Sequence, residues 1–267
     1  MNTTTQQTGQ SGSDYTDIIY TVKDLVATIA INRPKKLNAF SLQTIKEIGS
    51  ALNRSAADRN VGVIVLTGVG EKAFSSGGDM AMGAGGLEEG DWYLGRHLVD
   101  CPKPVIARVS GYAMGGGNHL AYCCDFTIAA DHSTFGQTGP RVGSPAGGYF
   151  VSHAASILGH KRAREMWMLC RRYTAKQALE WGLINAAVPQ AELDAEVSRW
   201  CTDLLSLSPT VLRIVKASFR VHMEHYMGRN VSDMVRLLAP NYFETGEQNE
   251  GATAFLAKRR PDFSPWR

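Results

Sequence analysis

The sequence predicts an α/β fold with parallel strands and right-handed crossovers, followed by a helical C-terminal region. Three observations carry that prediction. A rhythm of strand, glycine turn, helix and strand recurs through the first half of the chain. Val61 to Thr67 is an unbroken apolar run, the mark of a strand buried on both faces. From Lys161 onward the pattern becomes helical.

Met1 to Ser13 is rich in Thr, Gln, Ser and Gly and lacks the basic and apolar regions of a signal peptide, so residues 1–14 read as a disordered tail. Asp17 to Tyr20 and Leu25 to Asn32 are β-rich and suggest a hairpin turning at Lys23-Asp24. Arg33-Pro34 stops the second strand, and Ser41 is placed to cap a helix running to about Arg54. After Val61 to Thr67 come a glycine turn at Phe74 to Asp79, an irregular glycine-rich loop at Met80 to Asp91, and a short helix over Trp92 to Asp100. Pro104 to Val109 is a second buried strand, Gly111 to Asn118 a second glycine turn, and Asn118 to Cys124 a helix. Strands follow at Phe126 to Ala130 and Thr134 to Gly136. Helices are then expected at Arg162 to Cys170, Ala175 to Trp181, Leu193 to Ser206, Pro209 to His225 and Val231 to Ala239. The expected division is a core over 15–200 and a helical oligomerisation region over 201–267.

Composition limits the function. At 267 residues and 44% hydrophobic, the chain can bury a large core. A net charge of +3 and a pI near 8.6 fall well short of the basic bias of a nucleic-acid binder. No apolar run reaches the ~18 residues of a membrane span. The five cysteines are odd in number and form no CxxC pair, which argues against a disulfide scaffold and a zinc ribbon and for a reducing compartment, hence a cytoplasmic location. They read as buried small hydrophobes. No HExxH string occurs and no metal site is expected.

The two glycine turns draw attention to themselves. Strings such as Gly77-Gly78 and Gly115-Gly116-Gly117 carry the largest backbone entropy cost and persist where the chain needs unusual dihedrals or a close approach. The second also sits at a helix start, where free N–H groups favour negative charge. For either turn alone, tight packing is the plainer explanation. Neither is a GxGxxG or a GxxxxGK[ST] fingerprint.

Five strings in order, NRPKKLNAFS (Asn32 to Ser41), AFSSGGD (Ala73 to Asp79), the segment Pro102 to Ala130 containing GYAMGGGN, FGQTGPRVG (Phe135 to Gly143) and AFLAKRRPDF (Ala254 to Phe263), resemble the crotonase (enoyl-CoA hydratase/isomerase) superfamily. The resemblance runs from about residue 17 to 267. It implies a crotonase-type spiral of ββα turns with a C-terminal helical trimerisation region, and a trimer or pair of trimers as the assembly. It further implies an acyl-CoA substrate, coenzyme A as part of that substrate, and no tightly bound cofactor. The N–H groups of Gly78 and Gly116 would form an oxyanion hole for a thioester enolate, where one donor is typically worth about 2.7–4 kcal/mol. Coenzyme A contacts carried over in the same way are Lys36, Leu37, Ala39, Ser75, Gly77 and Asp79, with Lys258 reaching the phosphates in its own or a neighbouring subunit. Lys36 and Lys258 also read as ordinary solvated charges.

The departures concern the reaction. Hydratases of the superfamily use two glutamates, and the corresponding positions here hold His119 and Gly139. Water addition needs such carboxylates, so simple hydration is disfavoured. FGQTGPRVGS with Gly147 to Tyr149, Ala163 to Tyr173 and Glu250 to Phe263 resemble more closely the 1,4-dihydroxy-2-naphthoyl-CoA synthase and 2-ketocyclohexanecarboxyl-CoA hydrolase subgroup. That implies a lyase or hydrolase that closes or opens a ring at a β-keto thioester. It also implies a bicarbonate ion serving as base beside Gln137, Thr138, Gly139 and Trp167. Two departures from the subgroup stand out: Ala146 replaces its aspartate, and its C-terminal tyrosine falls on Phe243 or on the adjacent Tyr242. Tyr93 is the stand-in for a loop tyrosine, and Tyr149 joins the pocket. Ser144 reads either as a substrate hydrogen-bond donor or as a turn residue, His119 as a general base near neutral pH or a packed histidine, and Trp167 as an anion ligand or core. A hydratase, isomerase or hydrolase with rearranged residues, and a CoA-thioester-binding scaffold without activity, remain the alternatives.

Overall fold

Alternation in the N-terminal segment produces the expected hairpin: β1 (Ile18–Lys23) pairs antiparallel with β2 (Val26–Ile31). The turn places Asp24 and Leu25 at positive φ. The computed structural model describes residues 15–80, 94–145, 149–227, 235 and 237–266, with residues 220–227 described by their backbone alone. The predicted loop at Met80 to Asp91 and the helix predicted at Val231 to Ala239 lie largely outside the described residues, as do Tyr93, Ala146 and Gly147.

Ser41 caps α1 (Leu42–Ala57), accepting from the Thr44 N–H while the Thr44 hydroxyl takes the Ser41 N–H. On the inner face of α1, the Glu47 carboxylate accepts from the N–H groups of Thr16, Asp17 and Ile18, the Thr16 hydroxyl and the Gln43 amide. This ties the start of β1 to the helix.

The middle of the chain winds as three repeats. Strand β3 (Val63–Gly68) leads to β4 (Ala73–Ser75) and α2 (Leu94–Asp100). Strand β5 (Val105–Val109) leads to β6 (Tyr112–Met114) and α3 (Gly116–Cys123). Strand β7 (Phe126–Ala130) leads to β8 (Thr134–Gly136). The first strand of each repeat joins one sheet and the second joins another. The larger sheet has the order β1-β2-β3-β5-β7-β10 and is parallel after the hairpin; the smaller has the order β4-β6-β8-β9. Strand β9 is Arg172–Thr174, antiparallel to β8, and β10 is Ala186–Val188. The short strands β4, β6, β9 and β10 give too few residues to show a period in sequence.

Further helices are α4 (Tyr149–Leu158), α5 (His160–Leu169), α6 (Ala175–Glu180), α7 (Leu193–Leu205), α8 (Pro209–Met227) and α9 (Glu247–Leu256). Helix α4 is an addition to the helices the sequence predicts; its aromatic, largely apolar composition conceals the period a half-exposed helix shows. Helix α3 begins two residues earlier than expected, inside the glycine string.

Burial on both faces of the large sheet explains the unbroken apolar strands. Ile64 and Leu66 of β3 face the main core, whereas Val63 and Val65 pack with Ile106, Ile128, Val197, Cys201 and Leu204 under α7. Helix α7 thus packs as part of the core and runs across the expected boundary between residues 200 and 201. All five cysteines are buried and unbonded. Among the described residues, no helix is long and apolar enough to cross a membrane.

Candidate active site

Two glycine turns meet at the ends of adjacent strands. Strands β4 and β6 pair in parallel, so the segments leaving them, Ser75 to Asp79 and Gly115 to Gly117, emerge side by side. Their contact leaves no room for side chains. A methyl on Gly77, which has φ +95°, would sit 2.9 Å from the Gly116 nitrogen; one on Gly117 would sit 2.2 Å from the Ser75 carbonyl oxygen. The glycine strings are therefore a packing requirement as well as a conformational one.

The direction of two N–H groups follows from the hydrogen bonds around them. The Gly77 carbonyl accepts from Phe40 N at 2.9 Å, and no described peptide is cis, so the Gly78 N–H points away from Phe40. The Gly115 carbonyl accepts from His119 N at 3.1 Å along the helix, so the Gly116 N–H points out of the N-terminus of α3. Phe40 packs its ring on Gly116, where a methyl would lie 2.4 Å from Cζ.

An ion-pair network holds the first turn. Asp79 Oδ2 accepts from Arg33 Nη2 at 3.0 Å and Lys36 Nζ at 2.8 Å, and Arg33 also donates to the Ala39 carbonyl. Asn38, fully buried at φ +53°, accepts from Arg33 N and donates to the carbonyls of Val69 and Ala73. Asn tolerates this left-handed conformation better than most residues. Neither Arg33 nor Asn38 stands among the site residues the sequence suggests; their signal is their place in the NRPKKLNAF string. Of the expected coenzyme A contacts, Lys36 engages Asp79 while half its side chain stays exposed. Leu37 is exposed and Ala39 buried. The Ser75 hydroxyl is fully buried, donating to Asn38 O at 2.8 Å and accepting from Gly77 N at 3.1 Å, so it serves the turn itself. Lys258 is exposed just past the end of α9.

Behind the second turn lies an aromatic seam between α3, α4 and α5. The His119 ring stacks on Phe150 at 4.5 Å and lies 5.1 Å from Trp167 and 5.7 Å from Tyr122. Burial pulls its pKa down to about 3, against the opposing hydrogen bond to Gln137. This runs against the expectation of a base working near neutral pH, because the imidazole is neutral there and a poor proton acceptor. His119 Nε2, Gln137 Nε2, Trp167 Nε1 and Asn118 Oδ1 are among the buried polar atoms here with no protein partner. Such atoms each cost roughly 1–3 kcal/mol and call for a partner the chain does not supply.

Gln137, Thr138 and Gly139 run from β8 into a short turn over Gly139 to Val142. Thr138 crowds the second glycine turn, since a methyl on Gly115 would be 2.7 Å from its Oγ1. Ser144 N closes the segment on the Gly139 carbonyl at 3.0 Å. The C-terminal region covers this segment within the same chain: Tyr242 donates to the Gly143 carbonyl, and Gly251 of α9 lies against Val142. Tyr242 is thus the aromatic residue that reaches the Ser144 turn. The exposed Phe243 packs edge-on against its ring. Tyr149, at the start of α4, is buried beside the same seam.

Comparison with known proteins gives a consistent answer. A family described as enoyl-CoA hydratase/isomerase matches residues 21–265. An enoyl-CoA hydratase from Mycobacterium avium subsp. paratuberculosis K-10 is 29% identical with a TM-score of 0.81, over 94% of this chain and 99% of that one. A methylmalonyl-CoA decarboxylase in complex with 2-nitronate-propionyl-CoA is 26% identical with a TM-score of 0.85, over 93% and 98%. A carnitinyl-CoA hydratase from Mycobacterium avium is 28% identical with a TM-score of 0.76, over 93% and 98%.

Proposed function

The chain belongs to the enoyl-CoA hydratase/isomerase family, and from that premise we propose that it stabilises the enolate of an acyl-CoA thioester and uses it to make or break a carbon–carbon bond in a β-keto acyl-CoA. The observation that carries the reading is the direction of the Gly78 and Gly116 N–H groups where the two glycine turns touch. A thioester carbonyl oxygen received by both would gain stabilisation as it takes on enolate charge, and the donors need no rearrangement to supply it.

Ring closure or opening, rather than hydration, is supported by what stands at the two hydratase positions. His119 is neutral and enclosed, and Gly139 has no side chain. No carboxylate there can activate water. In ring opening, water that loses a proton to a bound anionic base adds to the β-keto carbon, the bond from that carbon to the α-carbon breaks to leave a carboxyl group, and the electron pair becomes the enolate that the two N–H groups hold. A proton then returns to the α-carbon.

The missing carboxylate leaves room for a carboxylate-like anion. The unpartnered donors of Gln137 and Trp167 suit bicarbonate, with Thr138 and Gly139 alongside. Such an ion would supply a base. Isothermal titration of the protein with bicarbonate, against a Gln137→Leu variant, tests the site; equal heats from both would sink it. Lys36, Leu37 and Gly77, at the mouth of the first turn, are assigned to coenzyme A, with Lys258 at its phosphates. Ser144 and Tyr242 are assigned to a substrate oxygen. The assembly is assigned as a homotrimer or a pair of trimers, in the cytoplasm.

Decarboxylation is the second reading, favoured by the neutral His119. Loss of carbon dioxide from a 2-carboxyacyl-CoA leaves its bonding pair in the enolate and needs no base. One assay separates the readings: a cyclic β-keto acyl-CoA, methylmalonyl-CoA and crotonyl-CoA, each with and without bicarbonate, followed by thioester and enone absorbance. Turnover of the first alone is the expected result, and turnover of crotonyl-CoA alone overturns it.

A further inference from the structure

The Gly78 N–H stands at the end of a run of hydrogen-bonded peptide groups that starts at a cation. Arg33 Nη1 donates to the Ala39 carbonyl. The same peptide group carries the Phe40 N–H at its opposite end, because no described peptide is cis. That N–H donates to the Gly77 carbonyl at 2.9 Å. The Gly77–Gly78 peptide in turn carries the Gly78 N–H at its opposite end. The order is therefore guanidinium, Ala39–Phe40 peptide, Gly77–Gly78 peptide, and then the place proposed for the thioester oxygen. Both peptide dipoles lie with their carbonyl ends toward the cation and their N–H ends toward that oxygen. A second bond, from Asp79 N to the Phe40 carbonyl at 2.9 Å, fixes the chain on the far side of Gly78.

The other guanidinium nitrogens hold Arg33 in place. Nη2 donates to Asp79 Oδ2 at 3.0 Å, and Nε lies 3.5 Å from Asp17 Oδ2. Both carboxylates are shared: Asp79 also accepts from Lys36 at 2.8 Å, and Asp17 from the hydroxyls of Ser41 and Thr44. A planar guanidinium presents donors in these three directions at once, whereas the ammonium of a lysine is a single point at the end of its stem. The Arg33 side chain is 16% exposed, and Ala39 and Phe40 are buried, so little water competes for the run. In such surroundings successive hydrogen bonds strengthen one another by about 10–30% per bond. Resting on the enolate reading above, we infer that Arg33 is a positioning residue for the oxyanion hole. It orients the Ala39–Phe40 peptide and through it aims and strengthens the Gly78 N–H. The Gly116 N–H is set instead by the bond from His119 N to the Gly115 carbonyl at 3.1 Å.

The test is infrared difference spectroscopy of cyclohexanecarboxyl-CoA, labelled with carbon-13 at its thioester carbonyl and bound to the full chain. The wild-type protein is expected to lower the carbonyl stretching frequency relative to the free thioester. Arg33→Met and Arg33→Lys are each expected to lose about half of that lowering, the share of one donor in two. Their affinity for the probe is expected to stay within about threefold of wild type. On the substrate found in the assay above, kcat should fall about tenfold while KM stays within about threefold. A lowering retained in full by either variant overturns the inference and leaves the acyl-CoA reading intact, whatever the variant does to stability. Should both variants fail to fold, the amide proton resonances of the wild-type protein decide. Binding of the probe is expected to move the Phe40 N–H downfield together with the Gly78 N–H, and a Phe40 resonance that stays put while Gly78 moves overturns the inference. A bound probe with an unshifted carbonyl in the wild-type protein overturns the oxyanion hole, and the role of Arg33 with it. Failure of the wild-type protein to bind the probe overturns the acyl-CoA reading itself.

Discussion

Gly116, His119 and Gln137 show how much chemistry here depends on atoms that a residue's type conceals. A methyl at 116 would press into the Phe40 ring, so Gly116→Ala should displace the N–H it carries. Turnover is expected to fall by about 10²-fold, the scale of losing one oxyanion donor, measured as kcat on the substrate found in the assay above. An unchanged kcat would remove Gly116 from the mechanism. His119 leads to a prediction about pH. Its folded pKa near 3 lies below the ordinary value of 6.5, so between those values the unfolded chain binds the extra proton. Stability should therefore fall as pH drops below 6.5, by up to about 1.4 kcal/mol per pH unit. His119→Phe, which keeps the stacking, is expected to flatten that slope in urea unfolding at pH 7 and pH 5. A slope unaffected by the substitution would mean the imidazole titrates normally.

At the scale of elements, two contacts set the positions of the turns. Glu47 fastens β1 to α1 through five hydrogen bonds. Although burial alone would raise its pKa, those bonds leave it lowered. It thus adds stability above the ordinary carboxylate value that is lost as pH falls through the depressed one. Glu47→Gln turns acceptors toward backbone N–H groups into a mixed amide and should cost about 2 kcal/mol, read from denaturant midpoints at neutral pH. The other contact is α9 on the Gly139 to Val142 turn. A methyl on Gly251 would lie 2.3 Å from the Val142 carbonyl group, so Gly251→Ala should lift the helix at a cost of about 1–3 kcal/mol. Faster amide exchange in residues 139–144 is the expected readout, and unchanged protection there would show that the helix does not hold the turn.

For the whole molecule, α8 carries Val211, Ile214, Val215 and Phe219 exposed on the single chain. A continuous apolar face of this kind calls for cover, in keeping with the proposed trimer. Light scattering is expected to give a trimer or hexamer for the wild-type protein and a smaller species for Phe219→Asp; a monomeric wild type would refute the assembly. Much of this fold was legible from the chain alone. Parallel strands such as Val63 to Gly68 announce themselves because burial on both faces favours a run of apolar residues over alternation. The Ser41 cap, the hairpin and the two glycine turns were legible because their signals are local to a few residues. What only the tertiary structure decided is which separated groups meet and in what state. That the Gly77 turn touches Gly116, that Lys36 engages Asp79, and that α9 covers the Ser144 turn in its own chain all depend on contacts between segments far apart in sequence. The neutral state of His119 belongs there too, since an imidazole's pKa is set by the burial its neighbours impose, and no window of sequence contains those neighbours.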